Sequence, residues 1–247
     1  MKVSYFTSKG KVRSNNEDSL LVVDTLISEG ELQDCEYLEI ESDNFVLAVA
    51  DGMGGHAKGE VASRMVLESI KELSPFSGEE DIKKALENAR TRLEEYVKAH
   101  PEAFGMGCAI AGLWVSGDKG VAFNVGDCRV YRFINDKLIK LTRDHSVVEE
   151  LLLDGIITPE EAKTHPQRHI LTSAVIGDGY TTKMRVFTMP VDVSLGGRFL
   201  VCTDGLWDEL NEEELRACMS SEEPCKKFLE VLKEKPLKDN VSFIVLL

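Results

Sequence analysis

"CAIAGLWVSGDKGVAFNVGDCRVYRFINDKLIKLT", residues 108–142, decides the fold class. Apolar residues alternate along it, and turn signals interrupt it at Gly117-Asp118-Lys119-Gly120 and at Asn135-Asp136. Short alternating runs joined by tight turns predict antiparallel hairpins. Upstream, "SLLVVD" (19–24) and "FVLAVA" (45–50) read as buried strands, being short, apolar and rich in β-branched residues. The acidic, turn-rich segment 28–44 between them predicts an excursion with a short strand of its own. After Gly59, helical spacing runs through Val61, Met65, Ile70 and Leu73. A second helix is expected from about residue 79, with Ser77 and Glu80 as a capping box and Leu86, Leu93 and Val97 on its buried side.

Downstream, residues 146–180 turn helical and polar, and Thr158-Pro159-Glu160-Glu161 carries the signature of a helix start. "RFLVCTDGLWDEL" (198–210) is a buried strand with a polar end, Asn211 with Glu214 caps the next helix, and "VSFIVLL" (241–247) is a core strand. This order lacks the regular strand–helix alternation of a doubly wound parallel sheet. It predicts an α+β fold, two packed antiparallel sheets flanked by helices.

The 247 residues carry no internal repeat or Pro/Gly-rich linker, which suits a single domain. Six cysteines without a C-x-x-C pair predict reduced thiols rather than a zinc ribbon or disulfide scaffold. A net charge of −14 disfavours nucleic acid as a partner. No apolar stretch reaches bilayer length, and the N-terminus lacks a signal-peptide core. A cytoplasmic protein with no membrane partner is expected.

One pattern occurs twice, an apolar strand running into Asp-Gly, at "VLAVADG" and "FLVCTDG". Asp51, Asp204 and the Asp239 of "KDN" all adjoin strong core strands, as does the pair Glu17-Asp18. Carboxylates gathered at strand ends repel one another and raise their own pKa values unless cations intervene. Oxygen donors without His or Cys at zinc-like spacing select Mg²⁺ or Mn²⁺. Gly52 adds a carbonyl that a bare backbone can bring close to a metal. A competing reading exists, because Gly52-Met53-Gly54-Gly55-His56-Ala57 matches the dinucleotide fingerprint G-x-G-x-x-A, with Glu72 twenty residues past Gly52. Against it, Asp51 would place negative charge where a pyrophosphate should lie, and the helix leads into another helix. No P-loop pattern is present.

The chain resembles the metal-dependent protein phosphatases, the type 2C serine/threonine phosphatases, and in particular their compact bacterial members. The resemblance rests on "RSNNEDS", "VADGMGGHAKGEVAS", "GMGCA", "NVGDCRVYR", "LTRDHSVVEELLLDGIITPEEAKTHP", "TDGLWDEL" and "KDNVSFIV", in that order along nearly the whole sequence. It implies a four-layer αββα sandwich spanning 1–247, with a flap subdomain at about 144–180. It implies two Mn²⁺ or Mg²⁺ ions, with Asp51 bridging them, the Gly52 carbonyl on one, and Asp204 and Asp239 on the other. Glu17 and Asp18 would act at the margin or through water, and Asp127 and Asp208 match a third metal site. Arg13 matches the arginine that grips the substrate phosphate. The implied reaction is hydrolysis of phosphoserine and phosphothreonine by direct attack of a metal-bridging hydroxide, without a phospho-enzyme. Expected partners are phosphorylated proteins and a cognate bacterial serine/threonine kinase, and the expected state is a monomer. A catalytically silent, phosphatase-like binding module is the alternative. Met53 stands where animal members have His, which leaves the proton donor to the leaving group unassigned, a metal-bound water being the expected source. His56 reads as a loop hydrogen-bonding group, with proton transfer as the alternative, and His145, His165 and His169 in the flap segment read as structural or surface groups, with substrate contact as the alternative. Cys128 replaces a usual serine.

Overall fold

The computed structural model describes residues 1–53, 58–178 and 184–247. The run 108–142 folds as a string of antiparallel strands, as its alternation predicts. In chain order the elements are β1 (Lys2–Ser8), β2 (Asp18–Val22), β3 (Thr25–Ser28), β4 (Glu36–Glu39), β5 (Asn44–Met53), α1 (Gly59–Leu73), α2 (Glu79–Ala99), β6 (Gly107–Ser116), β7 (Lys119–Val125), β8 (Arg129–Ile134) and β9 (Lys137–Lys140). They continue as α3 (Val147–Leu153), α4 (Pro159–Thr164), β10 (Val175–Ile176), β11 (Phe187–Asp192), β12 (Arg198–Cys202), α5 (Asp204–Trp207), α6 (Glu212–Ser220), α7 (Pro224–Lys233) and β13 (Val241–Leu246). The β8–β9 turn holds Asn135 at φ 50° and Asp136 at φ 59°. Two successive left-handed residues match the right-handed twist of the strands they join, and Asn and Asp tolerate that region better than other side chains.

Two sheets result, ordered β4-β1-β13-β12-β8-β9 and β11-β7-β6-β5-β2-β3, with β10 paired to β6. Alternation along each strand sorts the core into three layers. Between the sheets lie Leu20, Leu47, Val49, Leu113, Val130, Phe199, Val201 and Ile244. The opposite faces of β5 and β6 pack Ala48, Ala50 and Ile110 against Val66, Ile70, Leu86 and Leu93 of α1 and α2. On the other side, Leu200, Phe243 and Val245 pack against Leu215, Met219, Phe228 and Leu232 of α6 and α7. This is the four-layer αββα sandwich.

Local differences from the sequence reading have physical causes. The buried stripe of α1 runs through Ala62, Val66, Leu67 and Ile70, with Val61, Met65 and Leu73 at its flank. Ser77 does not form a capping box with Glu80; its N–H and hydroxyl both donate to Asp81, at 2.9 and 2.6 Å, and Gly78 stands at the cap position. The capping boxes at Thr158 and Asn211 form as read. The reduced-thiol expectation fails for two cysteines, since Cys35 and Cys225 are joined in a disulfide while Cys108, Cys128, Cys202 and Cys218 are free and buried. Spacing could not reveal a bridge between residues 190 apart in sequence. It ties the acidic excursion, whose β4 adds to the edge of β1, to α7. Gly54, Gly55 and His56 lie outside the described residues. No described helix is long and apolar enough to cross a membrane.

Candidate active site

The site grows from the alternation that builds the inter-sheet core. Phe45, Leu47 and Val49 face that core, and the next residue of the series is Asp51. On β12 the inward series Phe199 and Val201 leads to Thr203, and on β13 the series Leu246 and Ile244 leads to Ser242. On β2 the inward residues Leu20 and Val22 are preceded by Asp18. Each series turns polar at the same end of the sandwich. The Thr203 hydroxyl donates across the layer to Asp18 Oδ2 at 3.0 Å, and Ser242 shares a 2.7 Å hydrogen bond with Thr7.

The two Asp-Gly glycines act through close backbone approach. A Cβ on Gly205 would stand 1.9 Å from the Asn240 carbonyl oxygen, and one on Gly52 would stand 2.2 Å from the Gly59 carbonyl oxygen and 2.6 Å from that of Glu17. Without side chains, these glycines let the segments bearing Asp239 and Glu17 press against Asp204 and Asp51. The Asn240 side chain locks the arrangement: its Oδ1 accepts from Glu17 N–H at 2.9 Å, and its Nδ2 donates to the carbonyls of Lys9 and Asn15. Ser63 of α1 donates to the Glu17 carbonyl at 2.6 Å. Asp204 is the first residue of the four-residue helix α5 rather than part of a turn.

Burial and crowding set the charges. Asp51 is held well above the usual carboxylate range by burial, then by the fields of Asp204, Asp18 and Asp127. Asp18 is pushed up to about 7 by burial, against the hydrogen bonds of Ser242 and Thr203. Burial also raises Asp204, with Asp239 adding to it, and raises Asp127, which Asp204 and Asp144 push further. Glu17 is raised chiefly by burial. Asp204 stands close enough to Asp51 to push its pKa further up.

A cavity of about 600 Å³ opens here, lined by Arg13, Glu17, Asp51, Gly52, Asp127, Asp204 and Asp239 among others. Asp18 is buried and is not among the residues that line it. Asp208 does not line it; it faces a neighbouring cavity and forms a two-point ion pair with Arg168 at 2.7 and 3.1 Å. Arg13 holds Asp239 at 2.8 Å, a bond that raises its own pKa further. His169 also lines the cavity, whereas His145 is buried, with Nδ1 accepting from Gly126 N–H at 3.1 Å, and His165 Nδ1 accepts from Gln167 N–H. Sequence reasoning overlooked Asn240, Thr203 and Ser63. The neighbour of Asp239 in "KDN" was the signal for Asn240, since a buried amide beside a loop carboxylate commonly serves to fix loop backbone.

The donor set fits hard divalent cations. Asp18 Oδ1 and Asp204 Oδ1 are buried with no hydrogen-bond partner among the described residues, a condition that is stable only when something else satisfies them. Every candidate ligand is an oxygen. As they stand, no three acidic, histidine or cysteine side chains among the described residues close around a common point. Arg13 occupies Asp239, and burial among acids favours the protonated form of Asp51, so ion binding entails proton release and a parting of Arg13 from Asp239.

Buried carboxylates at one end of two antiparallel sheets, between helical layers, define the architecture seen in metal-dependent phosphatases. The sequence pattern of the family "Protein phosphatase 2C" matches residues 26–242, and the chain belongs to that family. It is 31% identical over 229 residues to the serine/threonine phosphatase Stp of Listeria monocytogenes, covering 90% of this chain and 84% of that protein. It is 30% identical over 248 residues to the serine/threonine protein phosphatase PstP of Mycobacterium tuberculosis, across 97% of this chain; the match spans only 43% of that relative. The crystal structure of PstP superposes with a TM-score of 0.82 at 28% identity, covering 99% of this chain and 98% of that one. A structure of the PstP catalytic domain in complex with two manganese ions gives 0.77 at 26% identity, over 99% and 98% of the two chains.

Proposed function

We propose that this chain is a metal-dependent serine/threonine protein phosphatase that hydrolyses phosphoserine and phosphothreonine. The observation that carries the reading is the pair of unpartnered buried carboxylate oxygens, on Asp18 and Asp204, at a cavity that also presents Arg13. Asp51, the Gly52 carbonyl, Asp204 and Asp239 would hold two Mn²⁺ or Mg²⁺ ions, with Glu17 and Asp18 at their margin. Asp127 is available to a third ion; Asp208 would have to leave Arg168 to join it. When bound, the cations supply Lewis-acid activation of water and neutralise charge on the phosphoryl oxygens. The chain's own residues do the rest. Asp51 and Asp204, both raised by burial, give up protons to become anionic ligands. Arg13 turns its planar fork from Asp239 to two phosphate oxygens, a bidentate match that also orients phosphorus for in-line displacement.

In this reading residues 144–178, the described part of the segment at about 144–180, form a flap over the cavity, and the substrates are phosphorylated proteins, with a bacterial serine/threonine kinase as the opposing enzyme. In the first reading the chain acts as a monomer in the cytoplasm; a second reading, a more oxidising compartment, is favoured by the Cys35–Cys225 disulfide. The silent binding-module alternative gains nothing from a site whose carboxylates and Arg13 are all intact.

The test is Mn²⁺-dependent phosphate release from a phosphothreonine peptide by wild type and Asp204→Asn. Wild-type turnover with a loss of at least about a hundredfold in the variant is expected. An inactive wild type with ample Mn²⁺ would overturn the enzyme reading, and equal activity would overturn the ligand assignment.

A further inference from the structure

Hydrolysis of a phosphoserine or phosphothreonine ester leaves behind an alkoxide, far too basic to depart unprotonated near neutral pH. Resting on the phosphatase reading above, the leaving oxygen therefore needs a proton donor within the cavity. Among its described lining residues, arginine guanidinium groups do not give up a proton, and the hydroxyls of Thr172 and Ser173 are weak acids. Glu17, Asp51, Asp127, Asp204 and Asp239 must be anionic to hold cations, which leaves Asp178 and His169 as the other acidic groups among the described lining residues. His169 is the imidazole among the described lining residues.

Its placement is built. On one side, Arg168 is clamped to Asp208 through both guanidinium nitrogens, and Asp208 N–H in turn donates to the Asp204 carbonyl at 2.8 Å. On the other side, Val147 N–H donates to the Ile170 carbonyl at 2.9 Å, and Leu171 bridges to Ser146 in antiparallel fashion. His169 is thus fixed at both flanks, with one flank anchored a single helical turn from Asp204. His169 also lines the adjacent cavity shared by Arg129, Trp207 and Asp208, so the ring stands at the junction of the two hollows. A proton can reach it from solvent, because the residue is exposed.

We propose that His169 is the general acid that protonates the leaving serine or threonine oxygen. The P–O bond breaks with its electron pair staying on that oxygen, which takes the proton from the imidazolium. Water adds its oxygen to phosphorus, and the proton it sheds restores the imidazolium. The products are the free hydroxyl side chain and inorganic phosphate.

The test compares His169→Gln with wild type on two substrates in Mn²⁺: a phosphothreonine peptide and p-nitrophenyl phosphate, whose leaving group departs without protonation. The expected kcat loss on the peptide is about a hundredfold or more, and at least about tenfold greater than the loss on p-nitrophenyl phosphate. Equal losses on both, or none, overturn the proposal. So does a leaving-group-dependent loss in His56→Gln that is absent in His169→Gln. A wild type inactive on both substrates overturns the phosphatase reading and this role with it, a pattern distinct from the others. A readout independent of turnover is the imidazole NMR signal of His169 as inorganic phosphate is added. It is expected to shift in a saturable manner while that of His165 stays in place, and an unmoved His169 signal contradicts the proposal.

Discussion

Asp18 and Asp51 are direct register partners on the adjacent antiparallel strands β2 and β5. Directly opposed residues project from the same face of a sheet, with Cβ atoms about 5 Å apart. Two buried acids are thereby placed side by side by the hydrogen-bond ladder itself, and the backbone of neither can move away without breaking strand register. The fold imposes the repulsion, and cations or protons must relieve it.

Without divalent ions, that relief takes the form of pH dependence. Asp18 is raised to about 7, and Asp51 and Asp127 are raised well above the ordinary range, so the folded state holds protons that the unfolded state has lost. Stability then falls as pH rises. His145 works in the opposite sense at lower pH: burial depresses it to about 4, so its contribution is complete above its unfolded value and is lost as pH falls. Urea unfolding in EDTA should show a loss of about 1 kcal/mol or more on going from about pH 6 to about pH 8. Asp18→Asn should flatten the alkaline limb. Stability that climbs from pH 6 to 8 in EDTA would contradict the account.

Gly205 offers a test by shape alone. The Cβ of Gly205→Ala would fall 1.9 Å from the Asn240 carbonyl, a clash with backbone that no rotamer relieves. The segment carrying Asp239 must retreat, so the variant should lose about 2–4 kcal/mol of stability and most of its Mn²⁺ affinity. Gly155→Ala is the control for adding a methyl group, since nothing stands near its Cβ, although its φ of +66° adds some strain of its own. Chemical unfolding and Mn²⁺ titration of both variants check this.

The same glycines show how far the sequence could be read. Repetition of Asp-Gly after apolar strands identified Asp51 and Asp204, because carboxylates that continue a buried β series have few structural reasons to be there. Asp239, Glu17 and Arg13 reached the same cavity through neighbouring motifs. What the residues alone could not convey was contact between distant segments. The Asn240 carbonyl against Gly205, Thr203 bound to Asp18, and Arg168 drawing Asp208 into a neighbouring hollow each join residues more than 30 positions apart. Cys35 and Cys225 belong to the same class, since no local pattern marks one as the partner of the other.

That bridge closes a loop of 190 residues, and chain-entropy arguments give such a cross-link about 2–5 kcal/mol. Dithiothreitol should lower the urea midpoint of wild type to that of Cys35→Ser and leave the variant's midpoint where it was. A midpoint in wild type that ignores the reductant would show that the bridge does not support the fold.

The central claim is that the crowded carboxylates are a cation site rather than a protonated core. Calorimetric titration of Mn²⁺ into the metal-free protein at neutral pH, repeated in buffers of different ionisation heat, measures both binding and proton release. The account predicts saturable binding of two ions with proton release, and loss of that binding in Asp51→Asn. Absence of Mn²⁺ binding by wild type, or identical isotherms for the two proteins, would contradict it.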